Sequence, residues 1–266
     1  VVTLLSRLLV RGVNDPMMIL ARVSLLSGLS AALIMNDGGA LFLGVVVKDV
    51  CRQLDLPLTP YMIAMATSAN IGSADHAIEM GHDPDKEPPF FFQKNANNID
   101  SSGRFPYPPQ TNDVHFEVEM IVALKSGGAN ISEADAMRHV FGYGIGLDMT
   151  RRDLQGEMKK MGRPWEIGKA FERSAPIGPL VPVAETGHLD AGAISLSVNG
   201  EIRQNGDLNQ MIWKVPEQIA YLSRFYDIAA GDLIMSGTPA GVGPIHKGDV
   251  MECRVDGLDP FVVTVV

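Results

Sequence analysis

The chain has 266 residues, 46% of them hydrophobic and 20% charged, with a formal net charge of −9. That balance supplies a large buried core and excludes disordered, collagen-like and solvated-tail proteins. The acidic excess argues against a nucleic-acid partner, and two cysteines, Cys51 and Cys253, cannot build a disulfide framework or a thiolate zinc cluster.

Residues 1–60 are strongly aliphatic, with Arg22 inside the longest apolar stretch. An arginine in that window disfavours a membrane span, so no membrane role and a cytoplasmic location are expected. Residues 1–70 are expected to form an N-terminal segment without a readable function, and residues 71–266 a domain of their own. Residues 73–81 suit a two-turn helix, with Ser73 as N-cap and Gly81 as stop. A stiff polar loop rich in proline leads from there into the strand-like run 90–94. Turn residues dominate 95–113, and alternation predicts a strand over 115–124. Residues 131–140 read as a short helix, 143–147 as a glycine-rich strand and 149–161 as a helix closed by Gly162. The C-terminal third reads as strands over 193–198, 201–204, 232–236, 250–255 and 260–266. Asn199-Gly200 makes a hairpin of the first two, and 215–225 has helical periodicity. Strands in runs with few interleaved helices indicate an α+β fold with a mixed or antiparallel sheet.

The sharpest chemical signal lies in the strand over 115–124. Alternation turns His115, Glu117, Glu119 and Ile121 to one face, and Phe116, Val118, Met120 and Val122 to the other. Two carboxylates about 7 Å apart along a strand, on a face that turns apolar, repel each other unless neutralised. A divalent cation with oxygen ligands does so: Mg²⁺, Mn²⁺ or Ca²⁺. A solvated acidic strand face is the alternative. Asp148, at a strand-to-helix corner, offers a third oxygen ligand and also suits a helix N-cap. Arg152 and Gln155 share one helical face and can donate to an anion or oxyanion, though an exposed Arg–Gln pair is also ordinary. His76 and Glu79, three apart on the short helix, can pair as base and orienting carboxylate, or be a surface pair. Lys169 sits in an apolar segment that reads as a strand, where it needs a partner anion. The glycine-rich turn 236–243 can bring backbone close to a ligand, yet it is neither a P-loop nor a dinucleotide fingerprint.

Residues 75–81, 89–94, 115–119, 142–155, 168–171 and 236–243, in that order, resemble the fumarylacetoacetate hydrolase family. Within it, 159–165 and 203–217 look most like the fumarylpyruvate hydrolases of gentisate breakdown. The resemblance implies a twisted mixed β-roll like the family's C-terminal domain, with short helices, assembled as a homodimer. It implies Mg²⁺ or Mn²⁺ on Glu117, Glu119 and Asp148, and a lid dyad of His76 and Glu79 that activates water. Arg152, Gln155 and Lys169 would hold substrate and oxyanion, with Thr238 near the substrate carboxylate. The implied reaction is hydrolysis of a C–C bond in a 1,3-diketo acid, with a metal-stabilised enolate leaving; fumarylpyruvate would give fumarate and pyruvate. An acylpyruvate hydrolase, an oxaloacetate decarboxylase and a non-catalytic metal-binding paralogue with a defective lid remain alternatives. The family's Gly-Arg-Asn-Tyr run before the dyad is replaced here by Asn70-Ile-Gly-Ser73.

Overall fold

A computed structural model describes the backbone of residues 64–67 and the whole of residues 88–266. His76, Glu79 and the helix expected over 73–81 lie outside the described residues. The strands, in chain order, are β1 (Ala64–Thr67), β2 (Phe91–Lys94), β3 (Ile99–Asp100), β4 (Arg104–Phe105), β5 (Val114–Phe116), β6 (Val118–Leu124), β7 (Val140–Leu147) and β8 (Thr150–Arg151). After them come β9 (Ala175–Pro176), β10 (Val181–Pro182), β11 (Ala193–Val198), β12 (Glu201–Asp207), β13 (Leu233–Met235), β14 (Gly243–Pro244), β15 (Val250–Val255) and β16 (Phe261–Val265). The α-helices are short: α1 (Glu133–Ala136), α2 (Arg152–Met161), α3 (Glu166–Lys169), α4 (Val183–Thr186) and α5 (Val215–Leu222).

Two sheets carry the fold. The first has the order β10-β7-β6-β13-β1-β2, and the second β12-β11-β15-β16-β4. Only β1–β13 in the first and β16–β4 in the second pair in parallel, so both sheets are mixed, in keeping with the expected α+β fold. Phe116, Val118, Met120 and Val122 share one core with Leu196, Met251, Cys253 and Val263 of the second sheet. Each fully buried aliphatic side chain contributes about 1.5–3 kcal/mol. On the opposite face of β6, Ile121 and Ala123 join a separate apolar cluster with Phe92, Ala175 and Met235. The alternation in the sequence is therefore real, but both faces are buried.

Local departures from the expected elements are informative. The strand expected over 115–124 breaks at Glu117: β5 pairs with β14 and β8, while β6 pairs with β7 and β13. The helix expected from Met149 begins at Arg152, with Arg151 as N-cap, because Thr150 and Arg151 first pair with β5. Asp148 is therefore no helix cap. Lys169 lies in a short helix, not a strand, because Gly168 packs tightly on α2: a Cβ there would fall 2.9 Å from Gln155 Cβ. The expected ends at Gly162 (φ 62°) and at the Asn199-Gly200 turn (φ 53° and 85°) are found, the latter with the two positive φ values of a type I′ turn.

Candidate metal centre

β-Sheet register assembles the three carboxylates. Val118 pairs with Leu147 and Glu119 with Gly146, and the Asp148 N–H continues the ladder to the Glu117 carbonyl at 2.9 Å. Opposite residues of an antiparallel pair share a face, so Asp148 stands across from Glu117 while Glu119 lies one pleat along. Candidate ligand oxygens of all three lie within 4.8 Å of one another. The residues are 4%, 1% and 0% exposed for Glu117, Glu119 and Asp148. Burial, then the charges of Asp148 and Glu117, push the Glu119 carboxyl well above the usual range. The Gly237 N–H, donated to Glu119 Oε2 at 2.7 Å, opposes this. Gly237 has φ 96°, so its residue type lets the glycine-rich turn present that amide.

Three cations face these carboxylates. Lys169 Nζ donates to Glu117 Oε2 at 2.9 Å, Asp148 Oδ2 at 2.7 Å and Thr150 Oγ1 at 2.7 Å, which uses all its protons. Its ammonium also lies 4.9 Å from the centre of the Phe92 ring. Arg152 donates from Nη2 to Glu117 Oε1 at 2.5 Å and from Nη1 to Gln155 Oε1 at 2.7 Å. The third cation, Lys94, was not singled out by sequence reasoning. It is wholly buried, pairs with Asp148 Oδ1 at 2.8 Å, and donates to Ser174 Oγ and the Lys169 carbonyl. Burial pushes its ammonium down, and Asp148 pulls it back up.

Two further residues had no role in the sequence reading, which placed His115 on the carboxylate face and left Gln204 unremarked. His115 Nε2 meets Asp113 Oδ1 at 3.0 Å, and its Nδ1 accepts from Arg152 Nε at 3.3 Å. Since Arg152 only donates, His115 is held as a neutral Nε2–H tautomer; burial, then Arg152, lower its basicity. Gln204, from the second sheet, is fully buried and reaches Val118 N, Thr238 Oγ1 and the Pro239 carbonyl. The structure thus brings Glu117, Glu119, Asp148, Arg152, Gln155 and Lys169 into one cluster. Thr238 adjoins it, one residue after the amide bound to Glu119.

The donor set suits a hard divalent cation: three buried carboxylates, no thiolate, and a repulsion that a cation relieves. A mixed-sheet α+β domain with a buried three-carboxylate centre at its strand ends defines a metal-dependent enzyme class built on oxygen ligands. The chain belongs to the fumarylacetoacetate hydrolase family, whose C-terminal domain matches residues 66–266. A second family, the citrate transporters, matches residues 1–78, overlapping the first where the run before His76 departs from the hydrolase pattern. Among the described residues no helix is long and apolar enough to cross a membrane.

Relatives share this domain. A crystal structure of fumarylpyruvate hydrolase from Pseudomonas aeruginosa, in complex with Mn²⁺ and pyruvate, is 49% identical, covers 77% of this chain and 89% of that one, and superposes with a TM-score of 0.73. A fumarylpyruvate hydrolase of Ralstonia sp is 41% identical over 70% of this chain and 98% of its own length. An oxaloacetate tautomerase of Escherichia coli (strain K12) is 39% identical over 75% of this chain and 92% of its own.

Proposed function

We propose that this protein hydrolyses a C–C bond in a 1,3-diketo acid, with fumarylpyruvate as substrate and fumarate and pyruvate as products. The observation that carries the reading is the charge balance of the buried cluster. Three carboxylates stand against three cations: Lys94, Lys169 and Arg152 pair with Glu117 and Asp148, while Glu119 is held by the Gly237 N–H. A divalent cation on the carboxylates leaves the centre with two positive charges, complementary to a dicarboxylate such as fumarylpyruvate. The similarity to fumarylpyruvate hydrolases supports the same substrate, and the pyruvate in the Pseudomonas structure is the product expected here.

Glu117, Glu119 and Asp148 would hold Mg²⁺ or Mn²⁺, which supplies Lewis-acid polarisation and charge for the enolate. Arg152 and Gln155 bind and orient the substrate, and Thr238 donates to its carboxylate. Glu79 orients His76, which takes a proton from water. The water oxygen bonds to the distal carbonyl carbon, and Lys169, which gives up a carboxylate partner as the Glu117 and Asp148 oxygens turn to the metal, turns that proton to the oxyanion that develops there. The C–C bond then breaks, its electron pair passes to the pyruvate fragment, and a proton completes pyruvate. Burial of the cluster excludes competing water from the anion sites. Assembly as a homodimer completes the proposal and is read directly from sedimentation.

The test is loss of the enol absorbance of fumarylpyruvate, with Mn²⁺ and again with chelator, in the parent, Glu119→Ala and His76→Ala. Metal-dependent formation of fumarate and pyruvate, lost in both variants, supports the reading. Metal binding without turnover contradicts it and favours a non-catalytic paralogue. A second reading, proton transfer or decarboxylation on oxaloacetate, rests on the 39% identity to the Escherichia coli tautomerase. Enol–keto exchange or CO₂ release from oxaloacetate, without cleavage of fumarylpyruvate, would favour it.

A further inference from the structure

The hairpin strand β12 does not continue its pleat into the core. Leu196 pairs with Gln204 but Ser197 pairs with Ile202, so Arg203 is the extra residue of a β-bulge. Ile202 and Arg203 are both exposed, whereas Gln204 is fully buried. A bulge of this kind re-aims the side chain that follows it. Here it drives an amide from the second sheet between the metal-ligand strand and the glycine-rich turn. That turn is shaped to receive the bulge. Gly241 has φ 93°, and a Cβ there would lie 2.2 Å from the Arg203 carbonyl oxygen; a Cβ on Gly206 would lie 2.9 Å from Pro239 Cβ.

The hydrogen bonds of Gln204 fix its orientation without ambiguity. Val118 N can only donate and the Pro239 carbonyl can only accept, so Oε1 takes the former at 2.9 Å and Nε2 gives to the latter at 2.7 Å. The second Nε2 proton therefore goes to Thr238 Oγ1 at 2.8 Å. Thr238 must accept on that side, which leaves its own hydroxyl proton to donate elsewhere. Thr238 is 1% exposed and follows Gly237, whose amide is bound to Glu119. The Val118 amide held by Oε1 lies between Glu117 and Glu119, at the break between β5 and β6.

We infer that Gln204 is a positioning residue that presets the Thr238 hydroxyl as a hydrogen-bond donor to an anionic ligand. The inference rests on the functional reading above, in which Thr238 meets the substrate carboxylate. Gln204 itself touches no ligand. Its effect passes through Thr238, so the two residues act as one unit and their losses do not add.

The test is a double-mutant cycle read by calorimetric binding of oxalate to Mn²⁺-loaded protein. Thr238→Val and Gln204→Met are each expected to weaken oxalate about tenfold. The double variant is expected to lose about tenfold as well, rather than a hundredfold. Thr238→Ser, which keeps the hydroxyl, should restore affinity. If Gln204→Met does not fold, Gln204→Glu keeps the acceptor for Val118, and its second oxygen, protonated toward the Pro239 carbonyl, accepts the Thr238 proton. It should then lose oxalate about as much as Thr238→Val, with no further loss when the two are combined. Additive losses overturn the inference alone; unchanged affinity in Thr238→Val overturns it together with the Thr238–carboxylate contact, while metal-dependent hydrolysis stands. A parent that binds Mn²⁺ but no oxalate overturns both.

Discussion

β6 and β15 feed the same core, yet they treat their second faces in opposite ways. On β15, Met251, Cys253 and Val255 are buried while Val250 and Arg254 are exposed and Glu252 is half-buried. Charge there stays in water, as in the pairing of Arg254 with Glu252. On β6 every residue from Val118 to Leu124 is buried, and Glu119 sits on the face that continues into Ile121 and Ala123. Surface pairs like the first contribute about 0–1 kcal/mol. Charges like the second cost several kcal/mol in desolvation and survive only with close partners. The five-stranded sheet is thus a conventional half-wet sheet that stabilises the fold. The six-stranded sheet spends stability on a charged interior, the mark of a functional site.

The strongest challenge to this contrast is to unbalance the charged interior. Lys94→Met leaves Asp148 Oδ1 without its ammonium at zero exposure, and should cost about 3–5 kcal/mol in urea unfolding of the metal-free protein. Arg254→Met should cost under about 1 kcal/mol; similar losses in the two variants would erase the distinction. Next in size, Leu196→Ala removes a fully buried side chain from the shared core. It should cost about 2–5 kcal/mol while leaving Mn²⁺ affinity unchanged, since Leu196 contacts the core rather than the carboxylates. A parallel fall in Mn²⁺ affinity would mean that the second sheet sets the metal geometry directly.

A smaller effect follows from Glu119, whose carboxyl is held above its ordinary range. Below that raised pKa its proton must leave before a cation binds. Mn²⁺ affinity should therefore rise with pH, by up to about tenfold per unit, and level off above it. By the same linkage, the metal-free protein gains stability from Glu119 at low pH and loses it as pH rises through the raised pKa. Calorimetry in buffers of different ionisation enthalpy should detect the released proton, and a flat profile would refute the assignment. Smallest of all, Asn199→Ala at φ 53° in the solvated hairpin should cost about 1 kcal/mol, with no change in turnover.

What the sequence made legible was local or periodic. Alternation over 115–124 put Glu117 and Glu119 on one face, and the fold keeps them there. Asn199-Gly200 and Gly162 announced their turns because positive φ strongly selects residue type. Asp148 was found as a ligand candidate although its expected cap role was wrong. β8 intervenes between it and α2, and that pairing with β5 leaves no local signature. Lys169 read as strand because its segment is apolar, whereas its helix is set by the close approach of Gly168 to α2. Lys94 and Gln204 were missed for a shared reason. Lys94 meets Asp148 and Gln204 meets Val118 across long stretches of chain, and a buried amide or ammonium has no periodicity to betray it. The bulge that turns Gln204 inward is a register event between two strands, invisible in either alone.

Glu117, Glu119 and Asp148 are proposed to form one divalent-cation site. The most direct measurement is a Mn²⁺ titration of the parent and of Glu119→Gln and Asp148→Asn, followed by electron paramagnetic resonance of free Mn²⁺. One ion per chain in the parent, with affinity reduced about a hundredfold or more in both variants, is the predicted result. Binding that survives both substitutions, or a parent that takes up no Mn²⁺, would contradict it.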